Sequence, residues 1–289
     1  MARRHVRMDR RRFIAGTAAV GALASPALAR GAATFRLGLT PVFLDNDAVV
    51  IERLRSAFSE AMGEPVDLIQ RRTYQEITAS ILDGSVDAAW ICGYPFLQHR
   101  DGLSLLGVPV WRGRPLYQSY LIVREDDAAA GLGDLRGDVH AFSDPDSNSG
   151  FLVTASDLAR MGEAPERFFA RSIFTYGHRN VVRAVAGGLT RSGSVDGYVW
   201  ETLAVVEPSL TGRTRVVARS EWLGFPPFAA RADRAADAEL RRFGKVLLGL
   251  DATPAGRAAL DLLFLDRIAP GDATLFDGIA ARMAEAAAR

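Results

Sequence analysis

Short apolar runs alternate with amphipathic stretches along the chain from residue 34 onward. The run at 34–39 is β-prone, whereas apolar residues in 47–62 recur every three or four positions, which indicates a helix. The predicted strands cover residues 34–39, 66–69, 88–91, 102–110, 117–123, 138–143, 172–176, 194–199 and 215–218, with a further strand near Phe228. The predicted helices cover 47–62, 73–83, 150–161, 179–187, 237–250, 254–263 and 273–288. Strands that alternate with helices predict an α/β fold with parallel sheets covered on both faces.

This alternation of strands and helices occurs twice and is followed by a helical C-terminal segment, which predicts two α/β lobes. We expect lobe I to comprise residues 30–118 and 220–289, including the C-terminal helices, and lobe II to comprise residues 119–219. The chain would cross between the lobes at 116–123 and return at 219–228. Two such crossing strands would form a hinge that closes over a ligand.

The first 29 residues have the organisation of an export signal. They contain six Arg and one Asp, and an uncharged stretch at 13–29 ends in Ala-Leu-Ala, a pattern suited to signal peptidase. Residues 9–14, DRRRFI, resemble a twin-arginine signal. The alternative is an amphipathic or membrane-anchoring N-terminal helix. We expect cleavage near Arg30 and a mature protein outside the cytoplasmic membrane that does not span it.

Composition narrows the class of protein. Of 289 residues, 48% are hydrophobic and 24% charged, which is typical of a globular protein. Residues 30–289 carry 29 basic and 33 acidic side chains, so the body lacks the basic excess of a nucleic-acid binder. Cys92 is the single cysteine, which excludes an intramolecular disulfide.

A turn rich in small polar residues follows the strand predicted at 138–143. In open α/β sheets ligands bind beyond the carboxyl ends of the strands, so the strand-to-helix turns are the candidate binding sites. Here Ser147, Asn148 and Ser149 open a helix, and the exposed backbone N–H groups with these side chains predict a cradle for an anion. The alternative is an ordinary helix cap, since Ser and Asn are common caps.

Two further turns carry candidate ligand-binding residues. His178 begins a predicted helix, where it can donate a hydrogen bond to an oxyanion favoured by the helix dipole. Cys92 and Tyr94 follow the strand at 88–91 and would project into a cleft at its end. The alternatives are a capping or packed histidine, a buried cysteine and a turn tyrosine.

Several catalytic patterns are missing from the chain, namely G-x-S-x-G, H-E-x-x-H, G-x-x-x-x-G-K-[ST] and paired cysteines. A Cys92–His178 enzyme would draw its two groups from different lobes and lacks a third residue to orient them. We therefore predict a binding protein rather than an enzyme, with no metal and no cofactor.

The residues at these turns resemble a known family. Residues 142–151 (FSDPDSNSGF), followed by Gly177-His178, 182–188 and 194–197, are similar to the periplasmic phosphonate, phosphite and phosphate substrate-binding proteins of ABC importers. The resemblance covers roughly 34–231 and implies the two-lobed type II periplasmic binding fold. It also implies ligand contacts from Tyr74, Tyr117, Ser147, Asn148, Ser149 and His178.

Three positions depart from the pattern of this family. Asn148 stands where Thr is usual. The two carboxylates that hold the amine of an aminophosphonate fall near Glu201 and at Pro226, and proline cannot pair with an ammonium. Cys92 stands where Gly is frequent. An aminoalkyl phosphonate is therefore not the expected ligand.

The resemblance leads to two hypotheses. In the first, the protein captures a small phosphonate, phosphite or phosphate-type oxyanion in the periplasm and delivers it to a membrane permease. In the second, it is a ligand sensor that presents its closed form to a membrane histidine kinase. That sensor would bind a thiophilic ligand such as arsenite through Cys92, as a periplasmic arsenite-sensing relative does.

Overall fold

The computed structural model describes residues 34–41 and 48–288, so the export signal predicted at 1–29 lies outside the described residues. The strands are β1 Phe35–Leu39, β2 Val66–Gln70, β3 Ala88–Trp90, β4 Leu103–Val110, β5 Leu116–Tyr117, β6 Ser119–Arg124, β7 Val139–Phe142, β8 Arg171–Phe174, β9 Ser192–Asp196, β10 Thr214–Arg219, β11 Leu223–Gly224, β12 Phe228–Arg231 and β13 Arg267–Ala269. The helices are α1 Ala48–Met62, α2 Tyr74–Leu82, α3 Gly93–Gln98, α4 Val153–Arg160, α5 Pro165–Phe168, α6 His178–Ala186, α7 Gly197–Val206, α8 Pro208–Thr211, α9 Ala238–Leu248, α10 Pro254–Leu262 and α11 Asp277–Ala287. A π-helical turn, Asn148–Leu152, precedes α4, and 3-10 turns span Leu132–Leu135, Ala232–Arg234, Leu250–Ala252 and Ala273–Phe276.

Two mixed sheets form the framework of the described residues. The first sheet has the strand order β13-β4-β12-β3-β1-β2, and the second has the order β10-β6-β9-β7-β8. Parallel pairs occur where helices connect the strands, as in β1–α1–β2 and β7–α4–α5–β8. The strands next to the crossings, β4, β6, β10 and β12, pair antiparallel with neighbours. The expectation of parallel sheets is therefore wrong for these strands, which run antiparallel to their neighbours.

A short ribbon connects the two sheets. β5 pairs antiparallel with β11, with Tyr117 opposite Leu223 and Leu116 opposite Gly224. These strands lie within the two crossings predicted at 116–123 and 219–228. The boundaries of the lobes at 118/119 and 219/220 stay a prediction.

The apolar spacing of α1 explains its packing. Val50, Leu54, Phe58 and Met62 recur every four residues and are all buried. Phe35 of β1 stacks on Phe243 of α9 with ring centroids 4.4 Å apart, and this contact anchors the C-terminal helices on the first sheet. No helix in the described part of the chain is long and apolar enough to cross a membrane.

Some element boundaries differ from the sequence-based expectation. The strand predicted at 194–199 is confirmed only to Asp196, because β9 covers Ser192–Asp196 and α7 begins at Gly197. The carboxyl of Asp196 accepts hydrogen bonds from the backbone of Tyr198 and Val199, and this cap starts the helix. Short elements such as α3 and β13 were not predicted.

The C-terminal helix α11 packs against both α3 and α4. Arg282 of α11 has a side chain that is only 4% exposed. Its guanidinium donates to Ser156 Oγ of α4 at 2.8 Å and to Glu221 of the returning segment at 2.9 Å, and it pairs with Asp157 of α4. Arg282 therefore ties the C-terminal helix to a helix of the second sheet.

Candidate functional site

A small cavity of about 20 Å³ lies where elements of the two sheets meet. It is lined by Thr40, Tyr74, Trp90, Ile91, Cys92, Tyr117, Ser147, Ser149, His178, Asp196, Tyr198, Phe225 and Pro226. Six residues proposed from the sequence are among them: Tyr74, Cys92, Tyr117, Ser147, Ser149 and His178. The strand-to-helix turns therefore meet at one site.

Tyr74 and His178 meet across the cavity. Tyr74 begins α2 directly after the capping residue Thr73, and its hydroxyl lies 3.1 Å from His178 Nε2. The backbone N–H of Asp196 donates to His178 Nδ1 at 3.1 Å, so this nitrogen carries no proton. Burial lowers the pKa of His178 to about 3, and the neutral ring holds its proton on Nε2. His178 thus donates to the Tyr74 oxygen, and the Tyr74 O–H proton stays available to the cavity.

The Asn148 side chain donates a hydrogen bond to the Tyr117 hydroxyl, as His178 does to the Tyr74 hydroxyl. Its Nδ2 donates to the Tyr117 hydroxyl oxygen at 2.8 Å, while its backbone N–H donates to Cys92 Sγ at 3.3 Å. Asn148 is fully buried behind the cavity and contacts two lining residues without lining it. The Tyr117 oxygen therefore acts as an acceptor, and Ser149 also lies within hydrogen-bonding reach of it.

Ser147 is both a helix cap and a wall of the cavity. Its Oγ accepts the Gly150 N–H at 3.0 Å, as the alternative interpretation of this turn predicted. Since that bond uses the oxygen as an acceptor, the hydroxyl proton remains for a ligand. The cap and the anion cradle are thus compatible roles for one side chain.

The turn after Ser147 closes tightly because residue 150 is glycine. A Cβ at Gly150 would lie 1.8 Å from Ser143 Oγ, far inside any contact distance. This close approach lets the π-helical turn follow β7 directly. It places Ser147 and Ser149 beside the ends of β3 and β5.

Tyr94 differs from the other predicted residues, because the structure places it outside the cavity lining. It is half-buried in the first turn of α3, and its side chain lies within hydrogen-bonding reach of Gln98 on the same helix. The early start of α3, at Gly93, explains this position. Cys92, one residue before the helix, does line the cavity.

Asp196 is the main site residue that the sequence analysis did not propose. It ends β9, lines the cavity and is 2% exposed. Burial raises the pKa of its carboxyl to about 7. Extending the strand to residue 199 concealed its place at a strand-to-helix turn, which was the signal that could have identified it.

Glu201 lies near the position of a carboxylate that holds the ligand amine in aminophosphonate-binding proteins, but it is outside the cavity lining. Glu201 does not line the cavity; it accepts from Tyr120 Oη at 3.1 Å and from Arg112 at 3.2 Å.

Burial raises the pKa of Cys92 to about 12, so that its sulfur is a neutral thiol at physiological pH.

The polar and the apolar residues of the cavity lining come from different parts of the fold. The second sheet and its helices supply most of the polar groups, whereas Trp90, Ile91, Phe225 and Pro226 supply apolar surface. Trp90 Nε1 donates to the Pro226 carbonyl at 2.9 Å, which fixes the returning segment beside β3. Among the described residues the lining contains no Arg or Lys, and no cluster could hold a metal ion. An anion here would be bound by neutral donors.

Two mixed sheets joined by a two-stranded ribbon, with a cavity between them, define a type II periplasmic binding protein. A family model described as the periplasmic substrate-binding protein of phosphonate ABC transporters matches residues 37–276. The chain belongs to this family. Its members are the periplasmic substrate-binding proteins of ABC transporters.

Solved structures with a similar fold include a component of a phosphonate transporter and a protein in complex with a phosphonate. One, from Pseudomonas aeruginosa, is the binding protein component of an ABC phosphonate transporter, with 19% identity and a TM-score of 0.78 over 86% of this chain and 85% of that one. PhnD1 from Prochlorococcus marinus, in complex with methylphosphonate, has 15% identity and a TM-score of 0.76 over 87% and 97%.

A third similar structure belongs to a protein with a different ligand. The alkanesulfonate-binding protein SsuA of Xanthomonas axonopodis pv. citri, bound to MOPS, has 17% identity and a TM-score of 0.57 over 87% and 90%. No curated protein matches the chain.

Proposed function

We propose that the protein captures a small phosphorus oxyanion in the periplasm and delivers it to the permease of an ABC importer. One observation carries this proposal: the hydroxyls of Tyr74, Tyr117 and Ser147 each accept a hydrogen bond from outside the cavity. Each hydroxyl can therefore donate its own proton to a ligand oxygen. Hydrogen bonds to a charged partner contribute about 1.5–3 kcal/mol each, enough to hold an anion without a cationic side chain.

The apolar part of the lining favours an oxyanion with one nonpolar substituent. Phosphate would place an oxygen against Trp90, Phe225 or Pro226, where no donor meets it, and an unpaired buried oxygen is destabilising. Phosphite and methylphosphonate place hydrogen or methyl there instead. A cavity of about 20 Å³ also favours the smallest members of this class. Methylphosphonate is the ligand held by PhnD1 of Prochlorococcus marinus.

Entry of the ligand requires the two lobes to separate. Tyr74 and Tyr117 belong to the part of the chain proposed as lobe I, whereas Ser147 and His178 belong to lobe II. A ligand bridging them would favour the closed form, with β5 and β11 as the hinge. The closed form would then be presented to the permease.

Cys92 supports a second candidate function. Its sulfur lines the cavity beside the donors, which suits a thiophilic ligand such as arsenite, in a sensor that signals to a membrane kinase. The two candidates make opposite demands on the sulfur. A phosphorus oxyanion gains little from a thiol, whereas arsenite would bond to it.

The substitution Cys92→Ser distinguishes the two ligand classes. Calorimetry of the wild type and Cys92→Ser with phosphite, methylphosphonate, phosphate and arsenite is the measurement. We expect the affinity for phosphite or methylphosphonate to change by less than about tenfold, or 1.4 kcal/mol. Arsenite binding by the wild type that disappears in Cys92→Ser would overturn the leading proposal.

Export through the twin-arginine route is a separate part of the proposal. With Arg10, Arg11 and Arg12 all replaced by Lys, precursor should accumulate in the cytoplasm, because this route requires the arginine pair. Immunoblots of cell fractions provide the measurement. The control replaces Arg3 and Arg4, which lie outside the motif at 9–14. An unchanged periplasmic yield of the motif variant would exclude this route.

A further inference from the structure

An open groove of about 620 Å³ lies beside the ligand cavity. One of its sides is the turn between β2 and α2, which supplies Arg71 and Arg72, and the other is the turn between β8 and α6, which supplies Tyr176. The helices that follow these turns begin with Tyr74 and His178, and both of these residues line the cavity. The groove therefore adjoins the cavity at the point where the two helices begin.

The two sides of the groove approach each other closely at one end. A Cβ at Gly177 would lie 3.9 Å from the carbonyl oxygen of Pro41, which lines the groove and directly follows the cavity residue Thr40. On the opposite side, Asn180 Nδ2 donates to the Thr175 carbonyl at 3.1 Å and fixes the turn there. Separation of these two segments would open the groove into the cavity.

The groove carries two exposed arginines that pair with no carboxylate among the described residues. Arg71 donates to the carbonyl of its neighbour Gln70 at 3.1 Å. The acidic residue of the groove, Glu76, caps α2, since its carboxylate accepts the backbone N–H groups of Arg72 at 2.8 Å and Thr73 at 3.3 Å. Two arginines and one glutamate leave this part of the surface with an excess of positive charge.

This local positive charge contrasts with the charge of the whole protein. Residues 30–289 carry 29 basic and 33 acidic side chains, a net charge of −4, which repels an anion at long range. The cavity lining contains no Arg or Lys, and its neutral donors act only on an anion that has already arrived. The arginines of the groove therefore supply a long-range attraction that the cavity itself lacks.

We infer that the groove is the entrance to the cavity, and that Arg71 and Arg72 draw the oxyanion into it and so set the rate of capture but not the rate of release. This inference rests on the proposed function. Charges that line the approach to a site raise association rates by about tenfold to a thousandfold, and salt screens the effect. Neither arginine lines the cavity, so release of the bound ligand depends on the donors there.

Stopped-flow kinetics with methylphosphonate, phosphite and phosphate provide the test, followed by tryptophan fluorescence because Trp90 lines the cavity. For Arg71→Gln with Arg72→Gln, the association rate constant should fall about tenfold at an ionic strength of about 0.01 M, and the dissociation rate constant should change by less than about twofold. At about 1 M, where the Debye length is about 3 Å, the variant and the wild type should associate at the same rate. Arg71→Lys with Arg72→Lys keeps both charges and should retain the wild-type rate.

The matched control is Arg167→Gln with Arg171→Gln, which removes the same charge from exposed residues at the other end of β8. Its association rate constant should change by less than about twofold, because the energy of two charges falls with their distance. Equal losses in the two Gln variants would show that only the net charge matters and would overturn the inference. An unchanged association rate in Arg71→Gln with Arg72→Gln, or a loss of affinity through faster dissociation alone, would overturn it as well.

The same measurements keep this inference apart from the proposed function. Each of those contrary results leaves capture of an oxyanion by the wild type in place. If the wild type binds none of the three oxyanions, the proposed function fails and the inference with it.

Discussion

Replacing both Tyr74 and Tyr117 with phenylalanine is expected to weaken binding of methylphosphonate or phosphite by about a hundredfold to ten-thousandfold. Each tyrosine holds its O–H toward the cavity, because His178 and Asn148 donate to the oxygens from behind. Loss of one hydrogen bond to a charged ligand is worth about 1.5–3 kcal/mol, and each 1.4 kcal/mol is tenfold in affinity. Titration calorimetry on the double variant and on each single variant measures the loss.

The matched control for this experiment is Tyr94→Phe. Tyr94 lies in the same chain segment as Cys92 but outside the cavity lining, and removal of its hydroxyl should change affinity by less than about threefold. A decrease comparable to that of the cavity variants would show that Tyr94 is a ligand contact after all. Thermal denaturation of all variants separates a loss of donors from a loss of folded protein, since His178 and Asn148 also lose acceptors.

The substitution Gly150→Ala should destabilise the fold. The added methyl group would overlap Ser143 Oγ and Cβ, at 1.8 and 2.7 Å, and the π-helical turn would have to move. Overpacking of this kind is destabilising by about 1–3 kcal/mol, which lowers the Tm by about 2–10 °C in a domain of this size. Ligand affinity should fall as well, because Ser147 and Ser149 shift with the turn.

Gly133→Ala provides the comparison, since an added methyl at Gly133 meets no atom within 4 Å. Its Tm is expected to stay within about 2 °C of the wild type, consistent with a surface substitution of less than about 0.5 kcal/mol. Equal melting temperatures for the two variants would show that the turn tolerates a side chain at position 150. The close packing described there would then not determine where Ser147 lies.

Local patterns were sufficient to predict the parts of the site that begin helices. Ser147 and His178 were proposed because hydroxyl and imidazole groups at a strand-to-helix turn suit an anion, and both line the cavity. The spacing of Val50, Leu54 and Phe58 predicted α1 correctly. In each of these cases the signal lies within one turn or one helix face.

Long-range placement could not be predicted in the same way. Phe225 and Pro226 reach the cavity only because Trp90 Nε1, more than a hundred residues earlier, holds the Pro226 carbonyl. The apolar run around Val195 and Val199 fits a strand and a helix equally well, and the cap by Asp196 decides between them. The direction of β12 likewise depends on pairing with β3 and β4, which no local pattern encodes.

The hydrogen bond from Arg282 of α11 to Ser156 of α4 bears on how strongly the protein binds a ligand, not on which ligand it selects. When a protein binds only in its closed form, the apparent Kd equals the intrinsic Kd divided by the closed fraction. Arg282 bonds α11 to α4 and does not line the cavity, so under the proposed closure of the lobes it would change the closed fraction rather than a ligand contact. A change at this arginine would then rescale the affinities for all ligands by one common factor. The C-terminal helix would set how tightly the protein holds any ligand, while the cavity wall would set which ligand it holds.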